Sequence, residues 1–152
     1  MSAPPRKDEP GLTRRDELAV SSAAMSDAPW GAAGAAGAVV AGGDLMLHVL
    51  GGHLAVTPSL AAGAVAFFAV AGGGALLRSK SGKAMRWARR NPWRFAVLPG
   101  AAAAIVVFVL AVVLGSSGII GGAFDAAWHG AITYGLTGLA GTVAAGRRDR
   151  AR

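Results

Sequence analysis

Two long stretches of this sequence are almost free of charged side chains. Within residues 30–77 the only formal charge is Asp44, and within residues 95–146 the only one is Asp125. Charged residues make up 15% of the whole chain, compared with about 25% in a typical globular domain. A helix on the surface of a water-soluble protein carries charged residues along its exposed face. Because both stretches lack such a face, the sequence predicts that lipid surrounds them.

The uncharged stretches are long enough to cross a bilayer several times. A hydrocarbon core about 30 Å thick is spanned by about 20 apolar residues in an α-helix, and backbone groups in lipid must be hydrogen-bonded within each helix. The sequence therefore predicts an all-α integral membrane protein, a bundle of four transmembrane helices. The predicted spans are residues 30–50, 54–77, 95–114 and 118–145. Pro99 would lie in the first turn of the third span, where its missing N–H costs least.

The cationic residues are sorted along the chain. All 15 Lys and Arg residues lie in the N-terminal tail (1–29), a central loop (78–94) or the C-terminal tail (147–152). The two other connections contain none, so four spans put all the cations on one side, which the positive-inside rule makes the cytoplasm. We therefore predict a multi-pass protein of the bacterial inner membrane, with a transmembrane domain of residues 30–146 and both termini cytoplasmic. The N-terminal tail has little apolar surface to bury, and we expect it to be disordered.

An Asp-x-x-x-His motif occurs twice within the predicted spans, as Asp44–His48 in the first and Asp125–His129 in the fourth. A lone Asp at mid-bilayer costs about 2.5–3.5 kcal/mol on insertion scales, so each is expected to have a polar partner. A rise of about 1.5 Å per residue puts all four side chains in one layer toward the outer leaflet. We expect them to form a buried polar cluster between the first and fourth spans. One motif lies in the first helix of its half and the other in the second helix, which argues against a tandem repeat and leaves an inverted one possible.

Other polar residues extend this predicted cluster. His53 lies slightly above it, near the outer surface, and Thr133 and Thr137 continue the Asp125–His129 row at intervals of four residues, with Tyr134 beside them. Such a row lines a helix interface or a water-filled cavity, because it is too costly to expose to lipid.

Three interpretations of the cluster remain open. In the first, each Asp pairs with a His and the threonine hydroxyls bond to carbonyls four residues earlier, so that the cluster is structural. In the second, the cluster conducts protons or ions, since Asp–His chains relay protons. In the third, it holds a divalent metal, or His48 and His129 hold a haem iron. We expect no cofactor, with metal or haem as the alternative.

The central loop combines cations with tryptophan. It could lie along the inner leaflet, where its cations would bind anionic headgroups and its aromatic rings would sit in the interface. Docking of nucleic acid or of an acidic partner is the alternative. The residues predicted to make these contacts are Lys80, Lys83, Arg86, Trp87, Arg89, Arg90, Trp93 and Arg94.

The remaining features bound the function. The chain has no cysteine, which excludes disulfides and thiolate ligands, and we find no catalytic motif, so we predict a non-enzymatic membrane protein. Glycines recur along the first and fourth spans at spacings that let helices approach closely, within one bundle or between copies in a homo-oligomer. In composition the chain resembles small Ala- and Gly-rich membrane proteins of bacteria, including accessory proteins of mobile elements and phage holins. That resemblance covers no motif, and it implies a pore-forming or DNA-transfer accessory as an alternative function.

Overall fold

The computed structural model describes residues 20, 22, 25–78, 83–115 and 118–149, without the side chains of residues 83–85 and 147–149. Every regular element in these ranges is helical, and they contain no strand. The all-α prediction is therefore confirmed for the described chain. The predicted C-terminal tail, most of the N-terminal tail and Lys80 lie outside the described residues.

Five helices have bounds within the described ranges. They are α1 (Trp30–Leu50), α2 (Val56–Arg78), α3 (Lys83–Arg90), α4 (Pro92–Val113) and α5 (Gly118–Asp149). By length and composition, α1, α2 and α4 could each cross a membrane. At 32 residues α5 is also long enough, but its aspartate, histidine and threonines make it less apolar, and it does not qualify on composition. Three helices are thus long and apolar enough to cross a membrane, and the fourth span stays a prediction.

The helix α4 begins earlier than the sequence suggested. It starts at Pro92, whose fixed φ suits the first helical turn, so Pro99 lies inside the helix and not in its first turn. The prediction that placed Pro99 at the start of a span is therefore wrong. Pro99 is buried, and its ring faces Gly72 of α2.

Helices α1 and α2 form an antiparallel hairpin with a seam of small residues. A Cβ added at Gly63 would lie 2.7 Å from Ala41 Cβ and 2.8 Å from the carbonyl oxygen of Gly37. Only glycine at position 63 lets the two backbones come this close. At the open end of the hairpin the ring of Trp30 packs on Phe67, with centroids 5.9 Å apart.

Helices α4 and α5 form a second hairpin with the same seam. A Cβ at Gly130 would lie 2.8 Å from Ala104 Cβ and 3.0 Å from the carbonyl oxygen of Gly100. At its open end the ring of Trp93 packs on Tyr134, with centroids 5.4 Å apart.

The two hairpins repeat each other contact by contact. Adding 63 to a residue number in α1 gives its equivalent in α4, and adding 67 in α2 gives its equivalent in α5. The equivalent pairs include Pro29 and Pro92, Trp30 and Trp93, Gly37 and Gly100, Ala41 and Ala104, Gly63 and Gly130, Phe67 and Tyr134, and Gly74 and Gly141. Even the closest approach recurs, since a Cβ at Gly74 would overlap Pro29 and one at Gly141 would overlap Pro92. The interpretation that the Asp-x-x-x-His positions argue against a tandem repeat is therefore wrong, because those motifs are not part of what the hairpins share.

The hairpins pack together through α2, which contacts both α4 and α5. A Cβ at Gly72 would lie 3.1 Å from Pro99 Cβ and 3.1 Å from Thr137 Cγ2, and one at Gly73 would lie 3.2 Å from Ala140 Cβ. Both hairpins therefore begin at the same end of the molecule. We call it the basic end, because Arg78, Arg90 and Arg94 lie there; the opposite end, toward which α1 and α4 run, is the histidine end.

An apolar cluster closes the basic end. Val20, Leu76, Ala88 and Phe95 are buried together there with Ala75. Val20 belongs to the segment expected to be disordered, and it is helical and packed in the structure. The apolar surface of α2, α3 and α4 buries this residue, and the expectation of disorder for the tail as a whole stays a prediction.

Candidate functional site

Asp44 is held by α2 as well as by its own helix. The buried Ser59 Oγ donates to Asp44 Oδ2 at 2.7 Å, and His48 Nδ1 lies 3.2 Å from the same oxygen. Ser59 Oγ also lies 2.8 Å from the Ala55 carbonyl oxygen, so its single proton serves two acceptors. The predicted Asp44–His48 pair is present, and Ser59 is a partner that sequence reasoning missed. A carboxylate bound from the neighbouring helix fixes the register of α1 against α2.

Backbone carbonyls determine the tautomer of two histidines. His48 Nδ1 lies 2.8 Å from the carbonyl oxygen of Asp44, and His129 Nδ1 lies 2.7 Å from that of Asp125. A carbonyl oxygen only accepts hydrogen bonds, so Nδ1 carries the proton in each ring and Nε2 of the neutral ring is the acceptor. An imidazole held in this way can take up a proton or bind a cation through Nε2.

Asp125 and His129 line a cavity at the histidine end. The cavity has a volume of about 410 Å³ and lies between the start of α2, the end of α4 and α5. Its lining combines Asp125, His129 and Thr57 with apolar residues that include Val107 and Ala111. In contrast to Asp44, Asp125 has an exposed residue surface. Asp125 and His129 thus face an open space whose other lining residues are mostly apolar.

Two threonines continue this row into the interior of the second hairpin. Thr133 is fully buried and donates to the His129 carbonyl oxygen at 2.9 Å, which confirms the predicted bond to the carbonyl four residues earlier. Thr137 is also fully buried, but its hydroxyl has no hydrogen-bond partner among the described residues. An unsatisfied buried hydroxyl costs about 1–3 kcal/mol. Thr137 lies about 18 Å along the helix axis from Asp125, at the point where α5 packs on Gly72 of α2.

The structure does not join the two pairs into the cluster expected between the first and fourth spans. Helix α1 packs along α2, whereas α5 packs along α4 and α2, and α1 and α5 are not a closely packed pair in the described chain. The rise along each helix predicted that Asp44 and Asp125 share one layer of the membrane. However, the close backbone approach at Gly37 and Gly63 packs α1 on α2. The first pair therefore lies at the α1–α2 seam, and the second lies at the cavity.

His53 lies beside the first pair, in the connection after α1. Its exposed ring packs edge-on against His48, with centroids 5.0 Å apart. Within the described residues, no three His, Asp or Glu side chains converge in a way that could hold a metal ion. Tyr134 lies apart from all of these groups, since it packs on Trp93 toward the basic end.

At the basic end, some of the residues predicted to contact headgroups are exposed and others are packed against the bundle. Arg86, Arg90, Trp93 and Arg94 are exposed. In contrast, Arg89 Nε donates to the Leu76 carbonyl oxygen at 3.0 Å, near the end of α2, and Trp87 packs against the apolar cluster. Arg89 and Trp87 therefore attach α3 to the bundle. The side chain of Lys83 lies outside the described residues.

Comparison of the chain with protein-family models, with curated proteins and with solved structures finds no match. The arrangement of the two Asp–His pairs, the cavity and the basic end is therefore what bears on function.

Proposed function

We propose that this chain is a non-enzymatic inner-membrane protein with four spans and both termini cytoplasmic, and that it passes protons or small cations from its outer side through the second hairpin. Its exposed arginines contact anionic headgroups of the inner leaflet. The observation that carries the proposal is the cavity lined by Asp125 and His129, because a carboxylate and an imidazole acceptor there face an open space of about 410 Å³.

The two Asp–His pairs have different roles in this proposal. Asp44 is bound by Ser59 and His48 and holds α1 on α2. Asp125 has no such partner from another helix among the described residues, and His129 presents Nε2 as an acceptor. The uptake of a proton or cation is therefore assigned to Asp125 and His129, and a structural role to Asp44.

The route inward follows the threonine row. Thr133 and Thr137 lead from the cavity toward the middle of α5, and both are fully buried. Beyond Thr137, the packing of Gly141 on Pro92 and Leu76 closes the row. Conduction therefore requires the basic end to open.

Proton flux in liposomes tests the proposal. Purified protein should dissipate an imposed pH gradient, and Asp125→Asn should abolish that flux while leaving the folded protein intact. The matched control is Asp44→Asn, which should lower stability but retain flux in the fraction that stays folded. Flux that survives Asp125→Asn, or wild-type liposomes no leakier than empty ones to protons, Na⁺ and K⁺, would contradict the proposal.

A further inference from the structure

The hairpin repeat makes one face of α1 equivalent to a face of α4, and one face of α5 equivalent to a face of α2. The faces of α4 and α2 are packed against each other. Where the hairpins join, Pro99 of α4 faces Gly72 of α2, and Val107 of α4 and Ala61 of α2 line the same cavity. Pro99 and Val107 are both buried. The equivalent residues on α1 and α5 are the two halves of a second contact of the same kind.

Both of these second halves are at least partly exposed. The α1 equivalents of Pro99 and Val107 are Ala36 and Asp44, and the α5 equivalents of Gly72 and Ala61 are Leu139 and Trp128. Leu139 is 56% exposed and Trp128 is 67% exposed. On α1, Ala36 and Asp44 are partly exposed. Since α1 and α5 are not a closely packed pair in the described chain, neither half is covered by the other.

The sizes of the residues fit such a contact. In the existing contact the small residue, Gly72, is on α2 and the larger one, Pro99, is on α4. In the equivalent contact the small residue, Ala36, is on α1 and the larger one, Leu139, is on α5. Each contact therefore pairs one small residue with one larger residue, and the small residue lets the two helices approach closely in lipid.

We propose that α1 of one copy of this chain packs against α5 of a second copy, in the way that α4 packs against α2 within the chain. Both hairpins begin at the basic end, so the operation that relates them turns about an axis along the membrane normal. Repeating a contact of this kind keeps every copy in the same orientation in the bilayer. Because it joins α1 to α5, the contact is head-to-tail, and copies joined in this way form a ring where the rotation between neighbours closes.

The proposed contact also brings the polar residues together. Asp44 and His48 are the equivalents of Val107 and Ala111, whereas Asp125 and His129 are the equivalents of Pro58 and Ala62. The contact therefore places the first pair of one copy beside the second pair of the next, and the cluster expected from depth alone forms between copies. Uptake of a proton or cation at Asp125 and His129 would then take place at this contact between copies. This last step rests on the proposed function, whereas the packing contact does not.

Disulfide cross-linking tests the contact, because the chain contains no cysteine of its own. In the existing contact, Pro99 Cβ lies 3.1 Å from the position of a Cβ on Gly72, so the equivalent positions should come within the Cβ separation of about 3.5–4.5 Å that a disulfide needs. Chains carrying Ala36→Cys and chains carrying Leu139→Cys, with different tags, are co-expressed and oxidised in native membranes. We expect a disulfide-linked heterodimer with both tags.

The control replaces Ala36→Cys by Ala35→Cys, which has almost the same depth but points to another side of α1. Its heterodimer yield with Leu139→Cys should be lower by at least about tenfold. No heterodimer, equal yields from the two pairs, or a disulfide that forms only within a chain carrying both substitutions would overturn the proposal. Proton flux distinguishes the packing contact from the proposed function. If the chains cross-link but show no Asp125-dependent flux, the contact stands and the proposed function fails. If flux is seen without cross-linking, the proposed function stands and the contact fails.

Discussion

A methyl group added at Gly63 should separate α1 from α2. The new Cβ would lie 2.7 Å from Ala41 Cβ and 2.8 Å from the Gly37 carbonyl oxygen, whereas carbon atoms in contact sit about 3.5–4.0 Å apart. The helices must therefore move apart by roughly 0.8–1.3 Å along this seam. Overpacking of this kind costs about 1–3 kcal/mol, and the better helix propensity of alanine returns up to about 1 kcal/mol. Gly63→Ala should thus destabilise the protein by about 0–2 kcal/mol.

The matched control is Gly34→Ala, on the other helix of the same hairpin. A Cβ at Gly34 meets nothing within 4 Å, so this variant gains the better helix propensity of alanine without any overpacking. The two variants should therefore differ by about 1–3 kcal/mol in their free energy of unfolding. Equilibrium unfolding in mixed micelles, followed by the tryptophan fluorescence of the chain, to which Trp30 contributes as it separates from Phe67, measures that difference. Equal stability of the two variants would refute the close seam.

Three further substitutions test other contacts by the same unfolding assay. Gly130→Ala, like Gly63→Ala, should be less stable than Gly34→Ala by about 1–3 kcal/mol, because its Cβ would lie 2.8 Å from Ala104 Cβ; stability equal to that of Gly34→Ala would argue against the hairpin repeat. Ser59→Ala should cost about 1 kcal/mol, since it removes the hydroxyl that binds Asp44, and a variant as stable as wild type would mean that this bond does not hold α1. Thr137→Val should stabilise the protein by about 1–3 kcal/mol, because its hydroxyl has no partner within the described residues; a loss of stability would show that the hydroxyl is bonded.

Helix content and the apolar character of the chain could be predicted because they depend on local composition. The first predicted span, residues 30–50, coincides with α1, since a long apolar sequence with a single formal charge and a preceding proline define it. The bond from Thr133 to the His129 carbonyl could be predicted for the same reason, because it depends only on spacing within one helix.

Which helices pack together could not be predicted from polar residues. Depth placed Asp44 beside the fourth span, but the glycines at positions 37 and 63 let α1 approach α2 closely, and Asp44 then binds Ser59. In a chain with 23 glycines, nothing local marks those two as the contact. The Pro-Trp pairs at Pro29 and Pro92 were the available signal, since each stands at the start of a hairpin and the Gly and Ala of the seam follow at equal distances.

The central claim, four spans with both termini in the cytoplasm, is tested most directly by cysteine accessibility in intact cells. His53→Cys, Arg90→Cys and Gly146→Cys are each introduced into the cysteine-free chain, at positions that the structure exposes, and treated with a membrane-impermeant maleimide. The account predicts that His53→Cys is labelled in intact cells, whereas Arg90→Cys and Gly146→Cys are labelled only after the membrane is disrupted. Labelling of Gly146→Cys in intact cells would mean that α5 does not cross, and labelling of Arg90→Cys would reverse the orientation; either result would contradict the claim.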